Sequence, residues 1–119
     1  MPGNLVHFEL PAKDVKRAKG FWSGLFDWKY QPPWGDMEYH LLDGAQPGGA
    51  VYESEGGIRG PVVYFDTDDI DASVTRIREL GGEASDKQPI PNVGWFSRCT
   101  DTEGNEFSLF QGDEGAGPG

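Results

Sequence analysis

Leu5-Val6-His7-Phe8-Glu9-Leu10 runs into Pro11-Ala12, then Asp14-Val15, and on through Phe21-Trp22 to Gly24-Leu25-Phe26-Asp27-Trp28. The opening is short and apolar-rich, which predicts a strand over 5–10 that Pro11 closes. Asp14 is placed to cap a helix in which Val15, Ala18, Phe21, Trp22 and Leu25 recur at helical spacing. Gly20 and Gly24 each weaken that helix by up to about 1 kcal/mol relative to alanine. Working outward, short strands are predicted over 28–31, 38–43 and 50–53, separated by Pro32-Pro33, Gly35 and a loop over 44–49. Residues 55–60 are polar and glycine-rich and mark a boundary.

The same order then recurs. Pro61 to Asp66 predicts a strand. Asp69 caps a helix carrying Ile70, Val74, Ile77 and Leu80 on one stripe, and Gly81-Gly82 ends it. Strands are predicted over 83–87, 95–100 and 106–111, with Pro89 and Pro91 interrupting and a turn at 101–105. Asp14-Val15 and Asp69-Ile70 lie 55 positions apart, and the same step carries Leu10 to Phe65 and Leu25 to Leu80. A strand–helix–three-strand unit used twice predicts an α+β fold of eight strands and two helices in paired βαβββ modules. The predicted limits are one domain over 1–111, module one 4–54, module two 60–111, and a disordered tail over 112–119. Each module alone leaves a sheet face half covered. Pairing would bury those faces and leave a concave, ring-lined surface, the usual place for a small ligand.

The chain of 119 residues is long enough for one core without disulfides. Its formal net charge of −10 argues against nucleic acid and anionic membranes as partners. Cys99 is the single cysteine, so no internal disulfide is expected, and no apolar run approaches the roughly 20 residues of a membrane span. A cytoplasmic protein is the expectation.

Three stretches carry a resemblance to a known family. Val6-His7-Phe8-Glu9-Leu10-Pro11-Ala12 with the segment to Trp28 resembles the first module of glyoxalase-like proteins. Asp68-Asp69-Ile70 through Leu80-Gly81-Gly82 resembles the start of the second. Val93-Gly94-Trp95-Phe96, with Asp101-Thr102-Glu103-Gly104-Asn105-Glu106-Phe107-Ser108-Leu109-Phe110-Gln111, looks like the closing hairpin. The similarity spans about residues 4 to 111, and the group related to lactoylglutathione lyase is the nearest in character. It implies the vicinal oxygen chelate fold (glyoxalase/bleomycin-resistance/dioxygenase-like), a small-molecule ligand and a homodimer. That superfamily holds isomerases, epimerases, dioxygenases, antibiotic-modifying transferases and antibiotic-sequestering proteins, so the likeness does not choose a reaction.

The resemblance also implies where a metal would sit. Metal-using relatives place one ligand on the first strand and one on the last strand of each module. The first position falls on His7, and its repeat equivalent is Val62, which has no donor atom. The last-strand position falls on Glu53, within one residue, and its equivalent is Ser108, where metal-using relatives carry Glu. A divalent metal would thus be left with His7 and Glu53, fewer than the three protein ligands of an ordinary catalytic zinc site, and no firm cofactor is expected. His7 and Glu53 are the candidate catalytic pair for proton transfer. Glu9, two residues from His7, and Tyr64, two from Val62, share the strand faces of those positions. Val62, Tyr64, Ser108, Glu9, His40 and Trp95 are candidate ligand-binding residues. Alternation turns either Tyr39 or His40 to the ligand side, and nothing local decides which. The expected function is a glyoxalase-like small-molecule-binding protein, as a lyase- or isomerase-type enzyme or as a non-catalytic, antibiotic-sequestering module.

Overall fold

The structure is a computed structural model describing residues 2–33, 36–55 and 60–117. These form an α+β chain of two compact units, His7–Val62 and Val63–Gly119 together with Met1–Val6. The first strand therefore contributes to both: residues 1–6 group with the second half of the chain, a different division from the predicted break between modules at 54–60. Gly3 N donates to Asp66 O and Asp66 N to Asn4 O, each at 2.8 Å, which is what ties the N-terminus to that unit.

In the unit His7–Val62, β1 (Leu5–Ala12) lies parallel to β4 (Gly49–Glu53), β4 antiparallel to β3 (Tyr39–Asp43), and β3 antiparallel to the short β2 (Lys29–Tyr30). Pro11 does not close β1. It sits opposite Tyr52 in a ladder that continues to Ala12. Helix α1 (Val15–Phe26) starts as predicted, with Asp14 accepting from Arg17 N, and ends at Asp27 in the left-handed conformation, φ 62°. Its predicted stripe is not a buried one, however. No residue of α1 is buried, and Phe21 and Leu25 are 62% and 56% exposed. The helix is instead held by rings: Trp28 packs against Trp22, Phe26 and Phe8, with centroids 5.4, 5.1 and 6.1 Å apart.

In the other unit, β5 (Val62–Asp66) runs parallel to β9 (Glu106–Gly112), β9 antiparallel to β8 (Gly94–Thr100), and β8 carries β6 (Glu83–Ala84) and β7 (Gln88–Ile90) along its far side. The expected strand over 83–87 is thus two short pieces, and Pro89 lies inside the second, opposite Trp95. This brings the described strands to nine rather than eight. Proline is tolerated because β7 pairs on one side only, leaving no ladder bond for the missing N–H. Helix α2 (Ile70–Glu79) is capped by Asp69 and buries Ile70 and Val74 against Cys99 and Leu109. Phe65, Ile77, Ala84, Trp95 and Phe107 surround that cluster.

The tail is not disordered over its described part. Gly112 ends β9, Asp113 N donates to Val93 O and Asn92 N to Ala116 O, and Ala116 is buried. Asp113 Oδ2 also accepts from Trp95 Nε1 at 3.0 Å. These backbone and side-chain hydrogen bonds offset the low apolar content that suggested disorder. Among the described residues, no helix is long and apolar enough to cross a membrane.

Candidate functional site

Strand alternation divides β1 into two faces. Phe8 turns toward the Trp28 rings, so His7 and Glu9 point the opposite way. The ladders place residues on that same face: Glu9 lies beside Ala50, Pro11 beside Tyr52, and Tyr52 beside Tyr39. Three of these side chains join into one chain of hydrogen bonds. The Tyr39 hydroxyl donates to Glu9 Oε2 at 2.7 Å, and His7 Nε2 lies 2.8 Å from the same hydroxyl. A phenol has a single hydrogen, and here it goes to the carboxylate. His7 Nε2 must therefore carry its own hydrogen and donate to the Tyr39 oxygen. The His7 and Tyr39 rings lie nearly parallel, with centroids 6.4 Å apart.

Burial pulls the His7 pKa below its ordinary 6.5, and the neighbouring Glu9 carboxylate partly pulls it back. The imidazole is consequently neutral at neutral pH, able to take up a proton. Glu9 is only 5% exposed, and its second oxygen, Oε1, is buried without a hydrogen-bond partner among the described residues. Buried polar atoms are nearly always paired, which makes Glu9 a candidate site residue.

Tyr39, rather than His40, joins this face. His40 is buried on the other side of β3, opposite Val51, with Nε2 2.7 Å from Glu38 Oε2. Glu53 is also on that other side, at the exposed end of β4 opposite Ala12. It does not meet His7. The reason is a register difference between the halves. Glu9 pairs with Ala50, while its repeat equivalent Tyr64 pairs with Ser108. Ser108 thus corresponds to Ala50, and the sequence step that matched the first strands is three residues out by the last ones. Unequal loops before β4 and β9 absorb the difference.

In the unit Val63–Gly119, Tyr64, Ser108 and Arg98 share a face, as their pairing shows. Ser108 is fully buried, and its Oγ has no partner among the described residues. Val62 is buried at the start of β5. Trp95 is committed elsewhere, packed on the Ile70 core, bonded to Asp113 and covered by the Lys87 ammonium 4.5 Å above its ring. Burial raises the pKa of the Cys99 thiol, which makes it a packing group rather than a nucleophile. A cleft of about 350 Å³ at the start of α1, lined by Lys13, Arg17, Phe21 and Trp22 among others, contains none of the candidate residues.

The donor set at the positions expected for a divalent metal does not fit one. The Val62 side chain offers no lone pair, Ser108 offers only a neutral hydroxyl, and Glu53 faces away from His7. His7 and Glu9 are spanned by a tyrosine proton rather than set as a chelate. Among the described residues, no group of three or more His, Cys, Asp or Glu side chains is arranged to hold a metal ion.

The comparison that decides the family is a match of residues 6–110 to the glyoxalase-like domain. The chain belongs to the glyoxalase-like domain family. A glyoxylase-like domain-containing protein of Didymella fabae is 30% identical over 118 residues, covering 90% of this chain and 92% of its own. Among solved structures, a glyoxalase/bleomycin resistance protein/dioxygenase superfamily member from Vibrio splendidus superposes with a TM-score of 0.70 at 16% identity, covering 92% of this chain and 98% of that one. Methylmalonyl-CoA epimerase from Mycobacterium tuberculosis gives 0.69 at 16% identity, over 93% and 88%. Identities this low establish the shared fold.

Proposed function

We propose that this glyoxalase-like protein binds a small organic molecule at the His7–Tyr39–Glu9 face and moves a proton on it, as a lyase- or isomerase-type enzyme without a metal. The observation that carries this is the buried Glu9 oxygen with no partner. Glu9 replaces Glu53 as the carboxylate of the pair. A neutral His7 and a carboxylate joined through one phenol form a relay in which a proton accepted at either end can be redistributed without net charge leaving the group. Tyr39 holds both ends in position. An epimerase among the neighbours makes proton transfer at carbon a chemistry this fold can host, though at 16% identity that is an analogy of fold alone.

The test is loss of carbon-bound hydrogen in D2O, followed by proton NMR over a panel of small carbonyl and hydroxyl compounds. The expected result is exchange on a subset of compounds, slowed about a hundredfold or more in Glu9→Gln. A compound that binds the protein with no exchange at any pH supports the other reading, a sequestering module. That alternative is favoured by the same missing ligands that set this chain apart from metal-using relatives. The homodimer implied by the resemblance is also a proposal. Phe21, Leu25 and Phe26 stand exposed on α1, apolar surface that a second chain would remove from water. Light scattering returning the mass of one chain at micromolar concentration contradicts it.

A further inference from the structure

The cleft at the start of α1 lies outside the His7–Tyr39–Glu9 face. Its volume is about 350 Å³, and Lys13, Arg17, Phe21 and Trp22 line it together with Ala12, Asp14 and Ala18. That is the size of a small-molecule site. Four of the chain's ten Lys and Arg residues, Lys13, Lys16, Arg17 and Lys19, fall within seven positions that hold one of its twenty acids, Asp14. The sign of the charge is thus locally reversed in a chain of net charge −10. Asp14 is engaged as the helix cap, its Oδ1 accepting from Arg17 N at 2.9 Å. Its Oδ2 lies 3.9 Å from the Arg17 guanidinium, whose side chain is 78% exposed. So long and wet a pair is worth little and leaves guanidinium donors open to water. Lys13 is exposed and makes no ion pair among the described residues. The apolar side of the cleft is formed by two rings. Trp22 is held by stacking on Trp28 and Phe26, with centroids 5.4 and 6.0 Å away. Phe21 meets Trp22 nearly at right angles, 5.1 Å away, yet remains 62% exposed.

We propose that this cleft binds a small organic monoanion, a carboxylate on a ring or short apolar chain, with the carboxylate at Lys13 and Arg17 and the apolar body against Phe21 and Trp22. Lys13 and Arg17 against Asp14 leave the lining one positive charge in excess, which a single carboxylate neutralises. A cationic ligand would add to that excess, and a dianion would overshoot it and meet Asp14. A guanidinium donates in the fork geometry that a carboxylate accepts. An inorganic anion would satisfy the cations and leave both rings wet, whereas covering apolar ring surface is favourable in proportion to the area removed from water. A neutral ring compound would use the rings alone. The acidic remainder of the chain is screened over about 8 Å at physiological ionic strength, so the groups lining the cleft set its preference. Of the apolar α1 surface offered to a second chain, Phe21 belongs to the cleft, and Leu25 and Phe26 do not.

The experiment titrates naphthoate, naphthylmethanol, naphthylmethylammonium and acetate into the whole protein at neutral pH, with binding read from backbone amide shifts. Naphthoate is expected to bind saturably, with shifts centred on residues 12–22, about fivefold or more tighter than the alcohol, and the ammonium is expected to bind weakest. Replacing both cations, Lys13→Gln with Arg17→Gln, changes exposed side chains alone. It should bring naphthoate down to the affinity of the alcohol and leave the alcohol unchanged. Phe21→Ala should weaken naphthoate and the alcohol alike, by about threefold. Raising the salt from about 20 to about 200 mM should weaken naphthoate and spare the alcohol. Equal binding of naphthoate and the alcohol overturns the proposal, as does naphthoate binding indifferent to the double substitution. Acetate binding as tightly as naphthoate overturns it too, since the rings would then contribute nothing. Shifts at residues 7–9 and 39 in place of 12–22, or no naphthoate binding at millimolar concentration, likewise contradict it.

Discussion

The two halves share strand order, a parallel first-to-last strand pair and an aspartate-capped helix, yet they are stabilised and equipped differently. Around α2 the core is aliphatic and closed, with Ile70 and Val74 buried on Cys99 and Leu109. Around α1 nothing on the helix is buried; the buried apolar residues lie on the strands, at Leu42, Ala50 and Val51, and rings at Trp22, Phe26 and Trp28 pack the helix. On the sheet face turned away from the helix, the first half carries His7, Glu9 and Tyr39, whereas the second carries Tyr64, Ser108 and Arg98. The common pattern therefore fixes topology, and the chemistry lies where the repeat has diverged. The half whose helix is unburied holds the linked His7, Tyr39 and Glu9 side chains.

The largest expected effect separates the cores. Ile70→Ala should cost about 2–5 kcal/mol, because it empties a closed site, while Leu25→Ala on exposed α1 should stay within about 0.5 kcal/mol. Urea unfolding of both variants measures the contrast, and equal losses would break it. Next comes Gly94→Ala. A methyl group there would lie 2.2 Å from Gln111 O and 2.8 Å from the Phe110 ring, so a loss of about 1–3 kcal/mol is expected in the same measurement. Gly24→Ala, with nothing within 4 Å, should be neutral or stabilising by up to about 1 kcal/mol.

A smaller effect should appear with pH. His7 has a lowered pKa when folded, so as pH falls below 6.5 the unfolded chain takes up the proton first and stability declines. The loss grows until pH passes the folded value. Thermal melts between about pH 8 and 5 should show this decline, and His7→Gln should remove its share. Asp101 and Asp113 act in a separate window. Hydrogen bonds from Asn105 and from Trp95, respectively, lower their pKa values, so their contribution is present above 3.8 and lost as pH falls through the folded values.

Much of this was legible in the sequence. Asp14 and Asp69 announced both helices, and the step between them announced the repeat, because capping and helical spacing are local signals. Pro11 and Pro89 misled, since whether a proline ends a strand depends on which side of the strand is paired. The tail misled because its anchors, Val93, Trp95 and Asn92, are distant in sequence. At the site, His7 and Glu9 were visible as alternate residues of one strand. Tyr39 was not separable from His40, and Glu53 was preferred to its neighbours, because both choices depend on ladder register. No pattern within a strand reveals register when the loop before it has changed length.

The account depends most on His7, Tyr39 and Glu9 being one linked group, and titration of His7 by proton–nitrogen NMR tests that directly. The wild-type imidazole should titrate with a midpoint below 6.5 and with the Nε2-protonated tautomer in its neutral form. Glu9→Gln, which removes the charge that partly raises this pKa, should move the midpoint lower still. A midpoint at or above 6.5, or one that Glu9→Gln leaves unmoved, contradicts the linkage and with it the assignment of this face as the site.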